Sequence, residues 1–373
     1  MSPDHPLRLL ADTLAVCPPP PAERVAALDA PDLDWPRLLW CAGQHLVTPS
    51  LAAASHRLGW SERLPPEVRD YLDGMRELNR LRNRDLLAAL VAIARALNPL
   101  GIEPLLLKGA NALLPDDYPG ATDRVIGDLD LALPPGAEAA ATAALIDLGY
   151  RPWVSDHPPT LPGVARRAHH APPLLHPDLP VKVELHRRLL ANPRDDAWLQ
   201  PGMKTHAQAL AAGAVVRVPD AGTRLLHNFL HAQINDRQRR LRCLNLRQLL
   251  DFSALAQSRP DVLTPALLGR LRPRRRLALL EYLAQAEHWL GLTYPPDLPR
   301  VASARRERWL QERVLTRPGW RRLFVVLDTA AGLPPRVARL PLRLLLTPGW
   351  LPWRLRVWRA GRLAKAGGDP FSG

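Results

Sequence analysis

Two aspartates, Asp128 and Asp130, stand one residue apart in an apolar segment that ends at Leu133. Leucines alternate with them, and this period of two is typical of a half-buried strand. Because successive side chains of a strand point to opposite faces, the two carboxylates share one face while the leucines face a core. Carboxylate oxygens are the ligands that magnesium prefers. The spacing therefore predicts a pair of side chains that can hold magnesium.

A second segment, residues 181–186, repeats this alternation. Valine and leucine take the inward positions, and Glu184 and His186 share the opposite face. Glu184 thus supplies a third candidate carboxylate. His186 is expected either to orient a carboxylate or to contact the substrate, and the alternative is an ordinary exposed strand residue.

The elements that must position these acids begin with residues 102–114, which indicate a short apolar strand, a turn at Lys108-Gly109 and the start of a helix. The Ala-rich segment 137–148, closed by Gly149, predicts a helix directly after the acidic strand. Such a helix gives a strand-helix crossover directly after the acidic strand.

This order of strand, glycine turn, helix, acidic strand and later carboxylate is similar to the polymerase-beta-type nucleotidyltransferase fold. The sequence resembles one branch of this superfamily, an uncharacterised bacterial nucleotidyltransferase family, from the N-terminal helices to about residue 255. The motifs that carry the resemblance are Leu107-Lys108-Gly109, Arg124, Asp128-Leu129-Asp130 and Val183-Glu184-Leu185-His186. Better-known members of the superfamily have Gly-Ser at the turn, where the serine touches the nucleotide phosphates, and here the charge of Lys108 is expected to serve instead.

The resemblance implies two magnesium ions ~3.5–4 Å apart, with Asp128 and Asp130 as bridging ligands. Glu184 would complete the second metal site and assist deprotonation of the acceptor. Gly109 would let the backbone approach the phosphates at the helix start, where free N–H groups favour anions. Lys108 and Arg124 are the candidates for binding the triphosphate or the departing pyrophosphate.

The function that follows is magnesium-dependent transfer of a nucleoside monophosphate from a nucleoside triphosphate (NTP) to an acceptor hydroxyl or phosphate, with release of pyrophosphate. The acceptor stays open among RNA, a protein, an anionic glycan intermediate and a small molecule. Other enzyme classes are disfavoured because the chain has no coenzyme-binding Gly-rich fingerprint, nucleophilic serine elbow or kinase signature.

A competing function class rests on charge. The net charge is +14, and the segment 336–365 combines arginines with tryptophans and leucines and contains no acid. A second cluster of arginines lies at 270–276. Such surfaces attract polyanions, so the alternative is a non-catalytic adaptor that binds nucleic acid or an anionic membrane through its C-terminal region. An ordinary solubilising helix face explains the same composition.

Length and composition predict an α+β protein in which a small mixed-sheet core is inserted between N-terminal and C-terminal helical regions. The chain has 373 residues, 47% of them hydrophobic, and strand-like segments are confined to about 102–186. The division that we predict is a helical region at 1–98, the nucleotidyltransferase-like core at 99–220, a helical region at 221–300 and a basic extension at 301–373.

The chain has three cysteines, Cys17, Cys41 and Cys243, which are too few and too scattered for a disulfide framework or a zinc motif. Neither a secretory signal nor an apolar run long enough to span a membrane is visible, so a cytoplasmic location is expected.

Two further pairs stand four residues apart on helical segments. His227 and His231 offer a zinc-like spacing, but the glutamate of a zinc protease helix is missing, and polar packing is the favoured interpretation. Arg247 and Asp251 are interpreted as an ion pair on a helix surface.

Overall fold

The computed structural model describes residues 5–15, 28, 30, 33–114, 123–153, 170–179 and 181–331. The basic segment 336–365, which is expected to contact polyanions, lies outside the described residues, as does Cys17. The division of the chain into four regions stays a prediction.

Helices dominate the described chain. In chain order they are α1 Pro6–Thr13, α2 Trp35–Gln44, α3 Thr48–Arg57, α4 Pro66–Leu97, α5 Glu138–Asp147, α6 Pro193–Leu199, α7 Ala221–Leu230, α8 Gln238–Leu241, α9 Leu246–Ser258, α10 Pro265–Gly269, α11 Pro273–Leu290, α12 Ser303–Thr316 and α13 Pro318–Ala331. A 3-10 helix covers Lys108–Leu113, and a π-helical turn covers His231–Asn235 directly after α7.

Seven strands of the described residues form one mixed sheet. They are β1 Leu105–Leu106, β2 Asp128–Ala132, β3 Arg151–Pro152, β4 Leu174–Leu175, β5 Lys182–His186, β6 Thr205–Ala209 and β7 Val215–Pro219. Their order across the sheet is β3-β4-β5-β2-β1-β7-β6. Strand β2 runs parallel to β5 and antiparallel to β1. With helices flanking this sheet, the predicted α+β class is confirmed.

The helix predicted after the acidic strand is present, but it leads into β3, and both β3 and β4 precede β5 in the chain. Helix α5 lies between β2 and β5 in the chain, and Gly149 beyond its end has a φ of +94°, a conformation that glycine adopts without strain. The expectation that strands stop at about residue 186 is wrong, because β6 and β7 follow at 205–219. Most side chains of β6 are exposed on both faces, so its sequence lacks the apolar alternation that identifies a half-buried strand.

The long helix α4 ties the N-terminal helices to the sheet. Its C-terminal half buries Leu86, Leu90 and Ile93 in the same apolar cluster as the inner side of β2 and β5. Past its end, the side chain of Asn98 donates to the carbonyl of Val215 at 3.0 Å and accepts from its N–H at 2.8 Å. This pair of hydrogen bonds attaches α4 to β7 as a backbone partner would.

A second apolar cluster joins the N-terminal helices with α7, α9 and α11. It contains Leu10 and Leu38 from the N-terminal helices together with Phe252 and Trp289 from the C-terminal ones. The two helical regions therefore share one core. Across the described residues, no helix is both long and apolar enough to cross a membrane.

Candidate functional site

The register between β2 and β5 brings the predicted carboxylates together. Asp130 pairs with Glu184 across the parallel strands, and Asp128 pairs with Lys182. The alternate residues Leu129 and Val183 are fully buried on the opposite face. The strand alternation therefore separates an apolar face from a face with three acids, as expected for side chains with a period of two.

Asp130 is the centre of this face, with only 4% of its surface exposed. One of its oxygens, Oδ1, accepts hydrogen bonds from Lys108 Nζ at 2.6 Å and from His186 Nε2 at 2.8 Å. His186 is fully buried and also lies 3.5 Å from Glu184 Oε2. The interpretation of His186 as an exposed strand residue is therefore wrong, and its ring sits where it can orient two carboxylates.

His186 is covered because a neighbouring segment pairs with the end of β5. His170 forms an isolated antiparallel bridge with His186, and the two rings lie 5.4 Å apart. His170 Nε2 also approaches Glu184 Oε2 at 4.0 Å. A local strand pattern contains no sign of this cover.

Charge divides the two aspartates. Burial raises the pKa of Asp130, but Lys108 and His186 outweigh it and hold that pKa well below its usual range. Burial raises the pKa of Asp128, and the nearby charges of Glu184 and Asp130 raise it further. For Lys108, burial lowers the pKa, but Asp130 more than compensates and leaves the pKa above its ordinary value. The acidic face thus carries like-charge repulsion that a cation would relieve.

The ligand set of the structure fits a divalent cation. Ligand atoms of Asp130, Glu184 and His186 lie within 4.8 Å of one another. Carboxylate oxygens suit magnesium, and an imidazole beside them can act as a ligand or hold a carboxylate in place. The sequence predicted Asp128, Asp130 and Glu184 as the ligands, and the cluster contains His186 instead of Asp128. Asp128 lies on the same face and contributes its negative charge.

Lys108 is the first residue of the 3-10 helix, and its side chain reaches Asp130. Lys108 has a φ of +48°, in the left-handed region that non-glycine residues seldom adopt. The next residue, Gly109, is needed for a close approach: a Cβ there would lie 2.9 Å from Arg124 Nη1. The guanidinium of Arg124 therefore occupies the space above this glycine.

Arg124 is held from both sides. Its Nη2 and Nε donate to the carboxylate of Asp251 on α9, at 2.6 Å and 3.1 Å. Its carbonyl accepts from the amides of Asn79 and Asn83 on α4, at 3.2 Å and 2.9 Å. Arg124 thus reaches the site as an ion-paired group, and its contacts connect the segment before β2 with α4 and α9.

The interpretation of Arg247 and Asp251 as a surface ion pair is wrong. Asp251 pairs with Arg124, while Arg247 Nη1 donates to the carbonyl of Val125 at 3.1 Å. Burial, and next the positive charge of Arg124, lower the pKa of Arg247 to about 10. Its buried Nε has no hydrogen-bond partner in the part of the chain that the structure describes. Such a guanidinium is suited to an anion.

A cleft of ≈ 200 Å³ collects most of these groups, although Glu184 and His186 are not among its lining residues. It is lined by the predicted residues Lys108, Gly109, Arg124, Asp128 and Asp130. Helices α7 and α9 and the π-helical turn close it from the other side, contributing among others Asp236, Arg247 and Gln248. The cleft is therefore formed by residues on and near β1 and β2 together with the C-terminal helices.

Sequence reasoning missed Asp236, Arg82 and Gln248. Asp236 interacts with His231 at 3.2 Å and accepts from Gln248 Nε2 at 3.0 Å. Arg82 on α4 lies near enough to Asp128 for that carboxylate to oppose the lowering of its pKa by burial. Each is a single polar residue in a polar helical stretch, so no local pattern distinguishes it from a solvated position.

The packing interpretation of His227 agrees with the structure. Its Nε2 lies 2.9 Å from the carbonyl of Leu189, and burial lowers its pKa to about 3. Among the described residues, the cluster of Asp130, Glu184 and His186 is the group with metal-ligand geometry, and neither His227 nor His231 belongs to it.

The arginine cluster at 270–276 is less available to polyanions than its sequence suggests. Arg272 and Arg275 both pair with the buried Asp195, at 3.0 Å and 2.9 Å. Arg270 donates to Thr223 Oγ1 at 2.7 Å and lies 3.4 Å from Asp220. Arg272 and Arg275 thus join the start of α11 to α6, and Arg270 joins the end of α10 to α7.

The chain was compared with models of protein families, with curated proteins and with solved structures. A family model described as "Uncharacterised nucleotidyltransferase" matches residues 31–291, which is more than half of the chain. The match ends 36 residues beyond the limit of about 255 expected from the motifs, and thus includes α11. No curated protein and no solved structure is significantly similar to the chain.

Proposed function

Because the chain belongs to this uncharacterised nucleotidyltransferase family, we propose that it transfers a nucleoside monophosphate from an NTP to an acceptor hydroxyl or phosphate. The proposed reaction depends on magnesium, releases pyrophosphate and takes place in the cytoplasm. The observation that carries the proposal is the pairing of Asp130 with Glu184 on adjacent strands, beside Asp128 and under Lys108.

The proposed step is an in-line displacement at the α-phosphorus. A bond forms between an acceptor oxygen and the α-phosphorus, and the bond from that phosphorus to the oxygen bridging to the β-phosphate breaks. Pyrophosphate leaves with the bonding electrons. With a hydroxyl acceptor, Glu184 takes the proton and passes it to solvent, and with a phosphate acceptor no proton needs to be removed.

Phosphoryl transfer needs charge neutralisation and positioning more than covalent help. Asp128, Asp130 and Glu184 would hold two magnesium ions, which when bound neutralise phosphate charge and acidify an acceptor hydroxyl. His186 keeps the carboxylates of Asp130 and Glu184 oriented through its Nε2 atom, which lies close to both. Because its pKa is held low, Asp130 is ionised throughout the physiological pH range.

The cations of the cleft are proposed to bind the phosphates. Lys108 and Arg124, which the sequence already indicated, are joined by Arg247, whose buried Nε has no partner among the described residues. Arg124 also acts as a positioning residue, because its ion pair with Asp251 links the segment before β2 to α9. In this proposal Gly109 serves the site by leaving room for Arg124.

The test is transfer of label from each α-labelled NTP into RNA, protein, glycan and small-molecule fractions of a bacterial lysate, with magnesium. Wild type is compared with Asp128→Asn/Asp130→Asn, and Asp178→Asn serves as a control because the side chain of Asp178 is 86% exposed and outside the cleft. We expect label with wild type and the control but not with the double variant, whose folding is checked by thermal unfolding.

The labelled fraction would identify the acceptor class. Equal labelling by wild type and a folded double variant would refute the proposed site. No labelling together with salt-sensitive binding of RNA or anionic vesicles, unchanged in the double variant, would favour the adaptor alternative.

A further inference from the structure

A second cavity, of ≈ 520 Å³, lies between α8, α11 and α12. It is lined by five arginines, Arg239, Arg242, Arg300, Arg305 and Arg308. Helix α12 supplies one wall and starts at Ser303, beyond the family match that ends at residue 291. The size is that of pockets for small organic ligands, ~300–1,000 Å³.

Its charges do not balance. The three glutamates of the lining are Glu281, Glu287 and Glu307. They pair with Arg239 at 2.7 Å, with Arg300 at 3.3 Å and with Arg242, respectively. Five arginines against three glutamates leave two positive charges in excess.

The excess is found on α12. Arg305 and Arg308 line the cavity, and neither forms an ion pair with another described residue. His288, also in the lining, adds no charge at pH 7, because burial and the positive charges of Arg8 and Arg308 lower its pKa to about 4. Arg305 and Arg308 are both exposed, so two arginines of the lining are available to an anion and have no carboxylate partner among the described residues.

Arg242 supports the same conclusion from inside the wall. It has a φ of +55°, and its buried Nε has no hydrogen-bond partner within the described residues. Burial lowers the pKa of Arg242, and although Glu307 opposes this, Arg239 and Arg306 lower it further. A positively charged group in this position is stabilised by an anion.

Part of the lining is apolar. Trp289, Tyr282 and Val301 contribute to it, and Trp289 is fixed by a 2.9 Å hydrogen bond from Nε1 to Gln311. Apolar walls with a few charged groups are typical of pockets for organic molecules rather than for bare inorganic ions.

A hydrogen-bond chain connects this cavity with the cleft beside the acids. Gln238, which lines the second cavity, donates through Nε2 to Oε1 of Gln248, which lines the first. Gln248 Nε2 in turn lies 3.1 Å from His231 Nδ1 and 3.0 Å from Asp236 Oδ2. The segment between the cavities contains the π-helical turn and the left-handed Arg237 and Arg242, features that often mark functional segments.

We propose that the second cavity binds a small organic dianion, a phosphate monoester or a dicarboxylate, and that its occupancy changes nucleotide binding through Gln238 and Gln248. The binding part is independent of the proposed nucleotidyl transfer, whereas the coupling part rests on it.

Binding is tested by titration calorimetry with ribose 5-phosphate and with phthalate, which separate the two sources of the dianion. At least one probe is expected to bind wild type, and Arg305→Ala/Arg308→Ala is expected to weaken it about tenfold or more, as loss of charge-assisted hydrogen bonds does. Arg274→Ala is the matched control, because Arg274 is an exposed arginine of α11 that does not line the cavity.

Two results would overturn the binding site. One is that neither probe binds at millimolar concentration. The other is that the double variant binds as tightly as wild type, while Arg247→Ala abolishes binding and so assigns the probe to the catalytic cleft.

Coupling is tested by the Kd of α,β-methylene-ATP with and without the saturating probe. We expect a change of about fivefold in wild type, in the usual range of allosteric coupling, and none in Gln238→Met, which keeps the side-chain length but removes the amide. As a second measurement, the probe should alter hydrogen exchange of residues 231–236 in wild type but not in Gln238→Met. An unchanged Kd and unchanged exchange in wild type would refute coupling. Failure to bind any nucleotide would refute the proposed function and leave the dianion titrations unaffected.

Discussion

Replacing Gly109 with alanine tests how Arg124 is positioned. A Cβ at Gly109 would meet Arg124 Nη1 at 2.9 Å, and moving the guanidinium to an ordinary contact of 3.4 Å requires a shift of about 0.5 Å. The guanidinium cannot simply swing away, because two of its nitrogens donate to Asp251. The alanine therefore displaces Arg124 or breaks part of this ion pair.

The expected loss follows from that displacement. Misplacing a group at a reaction centre by 1 Å costs ~10²-fold in rate, so a shift half as large predicts about a tenfold loss of transfer activity in Gly109→Ala. The free energy of unfolding should change by only ~1 kcal/mol or less, because alanine also restricts the unfolded chain and offsets the weakened ion pair. Gly109→Ala is thus expected to lower transfer activity while leaving the free energy of unfolding nearly unchanged.

Gly127 provides the matched control. It lies in the same cleft, and a Cβ there would have only Arg247 Nη1 near it, at 3.8 Å, an ordinary van der Waals contact. Gly127→Ala is expected to stay within about twofold of wild type, since it forces no displacement.

The assay is nucleotidyl transfer together with the Kd of α,β-methylene-ATP, with urea unfolding as the stability measurement. A double-mutant cycle with Arg124→Ala decides the cause, because Gly109→Ala should have no further effect once Arg124 is absent. Equal activity of the two glycine variants, or full additivity in the cycle, would refute the reasoning.

Three other predictions concern charge. Asp195→Ala removes the buried partner of Arg272 and Arg275 and should lower the free energy of unfolding by ~1–3 kcal/mol, measured by urea denaturation, with exposed Asp178→Ala as the unchanged control. Chelation of divalent ions should abolish transfer and added magnesium should restore it, and activity that persists in the chelator would contradict the metal proposal. The pKa of His227 is about 3 in the folded state and 6.5 in the unfolded state, so the unfolded state takes up the proton first as the pH falls. The contribution of neutral His227 to the free energy of unfolding is therefore complete above pH 6.5. It falls by up to ~1.4 kcal/mol per pH unit as the pH drops towards 3. His227→Gln should make urea unfolding less dependent on pH in this window, and an unchanged pH slope would show that His227 is not responsible.

Much of the acidic face could be predicted from local pattern. Alternation in β2 and β5 assigns Asp128, Asp130 and Glu184 to one face because strand side chains have a period of two, whatever the rest of the fold. The register that pairs Asp130 with Glu184 was not part of that pattern, because β3 and β4 lie between α5 and β5 in the chain and the whole sheet sets the pairing.

Burial and pairing could not be predicted in the same way. His186 has the sequence environment of an exposed strand residue, yet the segment carrying His170 covers it. Strand β6 was missed because an edge strand exposed on both faces needs no apolar alternation.

The sequence by itself determined the acidic strands, the glycine turn, the crossover helix and the family to which the chain belongs, because these depend on residues close together in the chain. Only the tertiary structure decided which charges meet. Arg124 and Asp251 are 127 positions apart, and Asp195 and Arg275 are 80 apart. Such pairs depend on how the helices pack against the sheet, and an arginine in a local sequence looks the same whether its partner is water or a buried carboxylate.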